Sequence, residues 1–274
     1  MSWIILNLHI KQIHQGKCKI KFSRFANREN GTPIQLLDSK RIWLICLILG
    51  TGLWISGLVI WWQGGIEKSL LFYYDAQRVA YDPVVVLSKG LSSYGMAAIS
   101  AIFFLYLLFS KLIKSLDAPL TVYLYTICSF GLSGIAGDLL KEVFSRPRPA
   151  AIFGNELFIL SQSATPAIPS GHATKSIALI LPFILLVSNS KNLHKVIKIM
   201  IVLLAGGVCF SRIVLGAHYL SDVLAGIGMA LIGLPLSMLF ANMILRKAKE
   251  EMLPTLSLVW GALLIFLTIV FLIL

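Results

Sequence analysis

Two histidines, one aspartate and several cationic side chains recur at short spacings in one part of an otherwise apolar chain. They fall in three groups, namely Lys141–Pro149, Pro169–His172 and Ser211–Asp222. A phosphate monoester carries about two negative charges near neutral pH. Arginine can bind two phosphate oxygens at once, and lysine adds a compact charge. The three groups therefore contain the side chains needed to bind a phosphate and attack it.

Three basic residues are predicted to hold the phosphate: Lys141, Arg148 and Arg212. Arg146, two residues before Arg148, is the alternative to it. Asp138 lies three residues before Lys141, and we predict an ion pair between them when no ligand is bound. Asp138 is therefore assigned a structural role beside an anion site.

The tetrapeptide Pro169–His172 directly precedes an apolar stretch that is predicted to be helical. Ser170 is a suitable N-cap, which leaves Gly171 and His172 in the first turn. Free amide hydrogens at a helix start attract anions, and glycine lets a phosphate come close. His172 would then lie beside the phosphate and protonate the leaving oxygen as a general acid.

His218 and Asp222 are four residues apart, next to another apolar stretch. If a helix begins at or before His218, both side chains lie on one face. The carboxylate could then bind one ring nitrogen and leave the other to attack phosphorus. Because this spacing often arises by chance, the prediction depends on the neighbouring groups.

The composition is that of an integral membrane protein. Of the 274 residues, 57% are hydrophobic and 13% charged, with a mean hydropathy of +0.84, whereas soluble domains carry about 25% charged residues. In a soluble protein the net charge of +12 would suggest nucleic acid. Here the basic residues flank apolar stretches, so we predict no nucleic-acid partner.

The predicted fold class is all-α, a polytopic transmembrane helical bundle with six core spans. A span needs about 20 residues at a rise of about 1.5 Å each. The stretch 253–274 is a candidate seventh, C-terminal span. The predicted domains are a basic N-terminal arm (1–42), a six-span catalytic domain (43–245), and a basic loop with an apolar helix (246–274). The six spans are Trp43–Trp62, Tyr94–Ser110, Pro119–Leu140, Ala173–Val187, Ile199–Leu215 and Val223–Leu245.

If the spans alternate in direction, most basic residues fall on one side of the membrane. Such an excess marks the cytoplasmic side, which places the arm 1–42 in the cytoplasm. The three polar groups then emerge together on the outer face. The predicted outer loops are 63–93, which could include a short helix at the interface, and 141–172. Of the five histidines, only His172 and His218 lie on that face.

Three spacings in this sequence resemble a known signature. Lys141 is followed by six residues and then Arg148-Pro149, the second part reads Pro-Ser-Gly-His172, and the third runs from Ser211-Arg212 through His218 to Asp222. All three parts, in this order, resemble the signature of the type 2 phosphatidic acid phosphatase (PAP2) family. The signature covers residues 141–222, and the layout of 43–245 is similar to membrane members of the family.

The resemblance implies a helical bundle that hydrolyses a phosphate ester without metal or cofactor through a phosphohistidine. His218 would be the nucleophile, Asp222 its orienting partner and His172 the acid. Ser170 and the Gly171 amide would help the three cations to hold the phosphate.

Similar proteins suggest a bacterial inner membrane, with the site facing the periplasm or the exterior. The substrate would be a phospholipid or lipid phosphate: lipid A, undecaprenyl diphosphate, phosphatidylglycerol phosphate or phosphatidic acid. An envelope lipid such as lipid A or undecaprenyl diphosphate is preferred, and no obligate protein partner is predicted. The alternatives are a phosphotransferase that passes phosphate to another lipid, and a transporter. A transporter should carry charges near mid-membrane, whereas these charges lie at span ends.

Overall fold

The computed structural model describes residues 39–112, 120–160, 163–187 and 192–247, together with residues 259, 262 and 266. The chain divides into two compact units, Met1–Ile42 and Trp43–Leu274, and all packing reported below lies within the second. Every regular element in the described ranges is a helix, which confirms the predicted all-α class. Most of the predicted arm and most of the predicted seventh span lie outside the described residues.

Each of the six predicted spans overlaps one long helix. Five stretches within or around these helices are long and apolar enough to cross a membrane, and α7 is apolar but has only 16 residues. The chain is therefore a multi-pass membrane protein, and the number of spans stays a prediction. The helices are α1 (Ser39–Gln63), α2 (Gly65–Tyr73), α3 (Asp75–Val79), α4 (Pro83–Leu112), α5 (Leu120–Phe144), α6 (Pro149–Phe153), α7 (Gly171–Leu186), α8 (Asn192–Val214) and α9 (Leu220–Lys247).

The predicted outer loop 63–93, in which the sequence allows a short helix, ends too late. It contains the short helices α2 and α3, and α4 already begins at Pro83. The Asp82 carboxylate accepts the N–H of Val84 at 2.8 Å, and proline is favoured in a first helical turn. The next turns of α4 contain Ser88, Lys89, Ser92 and Ser93, which lower the hydropathy of residues 83–93. A criterion based on apolar runs therefore places the start of the span at Tyr94.

The predicted loop 141–172 also begins too early. Helix α5 continues to Phe144, so Lys141 lies in its last turn. Ser145 then adopts a positive φ of 44°, and its N–H donates to the Lys141 carbonyl at 2.8 Å. A left-handed residue of this kind ends a helix and satisfies its last carbonyls.

Helix α7 lies at the centre of the bundle, packed against α5, α8 and α9. Its residues Leu179 and Phe183 are fully buried in a core cluster that also contains Ile99 of α4 and Ile201 of α8. The start of α7 is thus surrounded by the helices that carry the other predicted site residues.

Candidate active site

The predicted site residues lie at helix ends. Direct contacts link several of them, and His172 is placed near the others by its electrostatic neighbours. Lys141 is in the last turn of α5, Arg148 directly precedes α6, Ser170 precedes α7 with Gly171 and His172 in its first turn, Arg212 is in the last turn of α8, His218 lies between α8 and α9, and Asp222 is in the first turn of α9.

His218 and Asp222 form a buried pair. His218 Nδ1 lies 3.3 Å from Asp222 Oδ2, and the two side chains are 1% and 0% exposed. The prediction assumed that a helix begins at or before His218, which is wrong, because α9 begins at Leu220. Instead, the His218 N–H donates to the Arg212 carbonyl at 3.1 Å, and Asp222 Oδ2 accepts the Tyr219 N–H at 2.9 Å. The pairing therefore depends on a turn followed by a helix start.

The N-cap prediction for Ser170 is correct in position but not in hydrogen bonding. Ser170 directly precedes α7, yet its hydroxyl makes no cap hydrogen bond. The buried Oγ has no hydrogen-bond partner in the described part of the chain. A Cβ added to Gly171 would lie 3.2 Å from Lys141 Nζ, so the ammonium lies over this glycine. A cation, a helix start and an unpartnered hydroxyl therefore meet at one point.

Arg148 and Arg212 are almost fully buried, with exposures of 8% and 6%. Neither forms an ion pair with a carboxylate among the described residues. Arg148 donates from Nε and Nη2 to the carbonyl and hydroxyl of Thr165, at 2.8 and 2.7 Å. Arg212 donates to the Ser92 hydroxyl, while its Nε has no partner in the described ranges. Buried guanidinium groups without a carboxylate are suited to an anionic ligand.

Arg146 has different surroundings from Arg148. Its Nη1 donates to Asp222 Oδ1 at 2.7 Å, and its Nη2 donates to Glu67 Oε2 at 2.6 Å. Its guanidinium carbon lies 4.7 and 3.9 Å from the ring centroids of Trp61 and Tyr219. Of the two arginines left open by the sequence, Arg146 is thus already paired with carboxylates.

Nothing in the sequence marks Glu67 as a site residue, because it falls in the predicted outer loop 63–93. In the structure it is on α2 and only 4% exposed. Ser92 and Thr165, the partners of Arg212 and Arg148, were also missed. Glu67 and Ser92 precede the signature and Thr165 lies between its first two parts, so no spacing marks any of the three, and only the packing of the chain reveals their contacts.

The ion pair predicted between Asp138 and Lys141 is confirmed, with Nζ 2.9 Å from Oδ1. The other oxygen of Asp138 lies 3.4 Å from Lys175 Nζ. Asp138 is half exposed, whereas the two lysine side chains are 14% and 13% exposed. The carboxylate thus bridges two lysines at the edge of the site.

The electrostatics of the site favour a neutral His218 and a bound anion. Burial lowers the pKa of His218 well below its usual range, and the positive charges of Arg148, Arg212 and Lys141 lower it further. The ring of His172 interacts electrostatically with Arg212, His218, Lys175 and Arg148. A bound phosphate would offset the cations around both rings. Among the described residues, no three His, Cys, Asp or Glu side chains are grouped as metal ligands.

Fold and site together define a multi-pass membrane protein with a buried His–Asp pair beside two buried arginines that form no ion pair with the carboxylates of the described residues. Residues 120–246 match the PAP2 superfamily, and this segment, which holds every predicted site residue, belongs to that superfamily. The chain is similar to the lipid A 1-phosphatase of Rhizobium etli, with 33% identity over 109 residues, 38% of this chain and 43% of that protein. The match therefore spans less than half the length of this relative.

A solved structure is also similar to this chain. It is the crystal structure of the first transmembrane PAP2-type phosphatidylglycerolphosphate phosphatase, from Bacillus subtilis. The match covers 67% of this chain and 98% of that chain, with a TM-score of 0.36 and 21% sequence identity.

Proposed function

We propose that this protein is a membrane lipid phosphatase that works through a phosphohistidine intermediate. The observation that carries the proposal is the buried pair of His218 and Asp222, 3.3 Å apart, beside two buried arginines that have no carboxylate partner in the part of the chain that the structure describes. The superfamily of residues 120–246 and the name of the Rhizobium relative support the same reaction class.

In the first step, Asp222 holds the proton of His218 on Nδ1, and the lone pair of Nε2 attacks phosphorus. The bond from phosphorus to the lipid oxygen breaks, and His172 gives its proton to that oxygen. Lys141, Arg148 and Arg212 bind the remaining phosphate oxygens, together with the Ser170 hydroxyl and the Gly171 amide. Charge-assisted hydrogen bonds of this kind stabilise the charge that develops during transfer.

In the second step, water attacks the phosphorus of the phosphohistidine. His172 now takes a proton from the water, and the P–N bond breaks to release inorganic phosphate and neutral His218. No metal ion takes part in either step as we propose it. Transfer to a lipid hydroxyl instead of water is the phosphotransferase alternative.

For the substrate, we propose a bacterial envelope lipid that carries a phosphate or diphosphate ester. Lipid A is preferred because of the named relative, and undecaprenyl diphosphate is the second candidate. The proposal is tested by phosphate release from detergent-purified protein in EDTA. The panel contains lipid A, undecaprenyl diphosphate, phosphatidylglycerol phosphate and phosphatidic acid, with His218→Ala as the inactive variant and Glu156→Gln, an exposed surface change, as the matched control.

We expect release from at least one lipid, unaffected by EDTA and lost in His218→Ala. Release that survives His218→Ala would contradict the nucleophile assignment. Labelled phosphate on an acceptor lipid, with little free phosphate, would establish the phosphotransferase instead.

The proposed location is a bacterial inner membrane, with the site on the outer face. Glu156 is exposed and precedes Leu157, which belongs to the same core cluster as Tyr219, and Cys18 lies in the basic arm. A cysteine introduced at Glu156 should therefore react with an impermeant maleimide in intact spheroplasts, whereas Cys18 should react only after permeabilisation. The reverse pattern would exclude this orientation.

A further inference from the structure

Glu67, outside the three sequence groups, is bound directly to the start of α9. Its Oε2 accepts Arg146 Nη2 at 2.6 Å. Its Oε1 accepts the backbone N–H of Ser221 at 3.2 Å and also the Ser221 hydroxyl. Ser221 immediately precedes Asp222. Both oxygens of one buried carboxylate are thus used to hold the backbone and the cation next to Asp222.

Arg146 connects the two buried carboxylates. Its Nη1 donates to Asp222 Oδ1 at 2.7 Å and to the Ser221 hydroxyl at 2.5 Å. The rings of Trp61 and Tyr219 cover the guanidinium group. A planar group that donates to two different carboxylates and lies against aromatic rings has little orientational freedom.

This arrangement determines which oxygen of Asp222 faces the histidine. Oδ1 is bound by Arg146, so Oδ2 is left for His218 Nδ1 and for the Tyr219 N–H. Glu67 also shares the positive charge of Arg146. Without its negative charge, Arg146 would pull more electron density from Asp222 and weaken the bond to His218.

We propose that Glu67 is a positioning residue, which acts through Arg146 and Ser221 to orient the Asp222 carboxylate toward His218. The inference rests on the proposed function, because it assigns Glu67 a role in preparing that nucleophile. It also gives α2 a role in the reaction, although α2 carries none of the signature residues.

The competing explanation is that the Glu67–Arg146 ion pair only attaches α2 to the bundle. A structural pair would change stability, and any loss of activity would follow the loss of folded protein. A positioning role instead lowers kcat of the folded protein and leaves KM almost unchanged, because Lys141, Arg148 and Arg212 keep their contacts.

The first experiment measures kcat and KM of Glu67→Gln for the lipid that the wild-type protein hydrolyses fastest. Glutamine keeps the shape of the side chain and removes its charge. We expect kcat to fall by about 10- to 100-fold, as for other residues that orient a functional side chain through hydrogen bonds. KM should change less than about threefold. Glu156→Gln, the same change at an exposed position, should match the wild type.

A double-mutant cycle separates positioning from stability. If Glu67 acts through Asp222, Glu67→Gln should have little further effect on kcat in an Asp222→Asn background. Multiplying effects of the two changes would overturn the proposal. Ser221→Ala provides a second variant that keeps all charges, and it should lower kcat by a smaller factor.

A readout that does not need turnover is the proton on Nδ1 of His218 in protein labelled with 15N-histidine. His218→Gln identifies the signal by its loss. We expect the signal to shift or broaden in Glu67→Gln and to stay unchanged in Glu156→Gln. An unchanged signal together with wild-type kcat in Glu67→Gln would refute the positioning role, even if His218 proves essential. A shifted signal in a protein that hydrolyses no lipid would support the positioning role and refute the proposed function alone.

Discussion

The backbone N–H of Ser170 donates a hydrogen bond of 2.9 Å to the backbone carbonyl of Asp222. This bond joins the start of α7 to the start of α9, and both residues are 0% exposed. The proposed acid, His172, follows Ser170 by two positions, and Asp222 holds the proposed nucleophile. The two halves of the site are thus connected by main-chain atoms in a place that water does not reach.

Gly226 makes this close approach possible, so Gly226→Ala should disturb the site. An added Cβ would lie 2.7 Å from the Ser170 carbonyl oxygen and 3.0 Å from the Ala173 Cβ. Moving α7 to relieve this overlap should cost about 1–3 kcal/mol of stability and lower kcat about tenfold or more, since small displacements of reacting groups are costly. Thermal unfolding in detergent and phosphate release measure the two effects.

Gly206→Ala is the matched control for Gly226→Ala. Gly206 lies in α8, and an added Cβ would meet nothing within 4 Å. Alanine is favoured over glycine in helix interiors by roughly 0.5–1 kcal/mol, so this variant should be as active and at least as stable as the wild type. Equal damage from both changes would show that the contact with Ser170 is not the cause.

Ser170→Ala should separate stability from function. The buried Ser170 hydroxyl has no partner in the described part of the chain, so its removal should leave the melting temperature unchanged or higher. Orthovanadate, a phosphate analogue, should stabilise the wild type more than this variant. Ser211→Ala is the control, because the Ser211 hydroxyl donates to the Val208 carbonyl at 2.7 Å and its loss should lower stability. A large drop in the melting temperature of Ser170→Ala would argue against an anion-binding hydroxyl.

Arg78 and Gly216 should determine how firmly α3 is attached to the loop before His218. Gly216 has a φ of +69°, and an added Cβ would overlap Arg78 Nη1. Gly64 has a nearly identical φ of +68° but open space around it. Gly64→Ala should therefore lower stability only by the left-handed backbone strain of about 1–2 kcal/mol. Gly216→Ala should lower stability by clearly more, because the added Cβ also overlaps Arg78. Similar melting temperatures for the two variants would rule out a role for the Arg78 contact.

The pH dependence should reflect the lowered pKa of His218. Burial and the nearby cations hold this pKa well below the usual 6.5, so the ring stays neutral at pH values where a free histidine is charged. The acid limb of kcat/KM, which reports the free enzyme, should therefore lie below about pH 6.5. In Arg148→Gln the loss of a positive charge should raise the His218 pKa and move this limb to higher pH. An unmoved limb would mean that another group controls it.

The lowered pKa of His218 should also make the stability of the folded protein depend on pH. The unfolded chain takes up a proton on His218 near pH 6.5, whereas the folded protein does not. This contribution to stability is complete above that pH and is lost as the pH falls. The melting temperature of the wild type should thus decrease more steeply on acidification than that of His218→Gln.

Local patterns in the sequence were sufficient for several parts of the site. The Pro-Ser-Gly-His tetrapeptide predicted the start of α7 at Gly171, because residue preferences at helix starts are local, although the Ser170 hydroxyl makes no cap hydrogen bond. The Asp138–Lys141 ion pair was predicted for the same reason, since both lie on α5. Span positions followed from hydropathy, except at α4, where polar residues in the first turns concealed the helix start.

The sequence by itself determined the all-α class, the approximate spans and the set of candidate residues, because these depend on composition and on short spacings along the chain. Only the tertiary structure decided the partners of the two neighbouring arginines. Arg146 meets Glu67 and Asp222, which lie 79 and 76 residues away, whereas Arg148 has no such carboxylate among the described residues. Which partner a buried charge finds depends on how distant helices pack, and no local pattern encodes that.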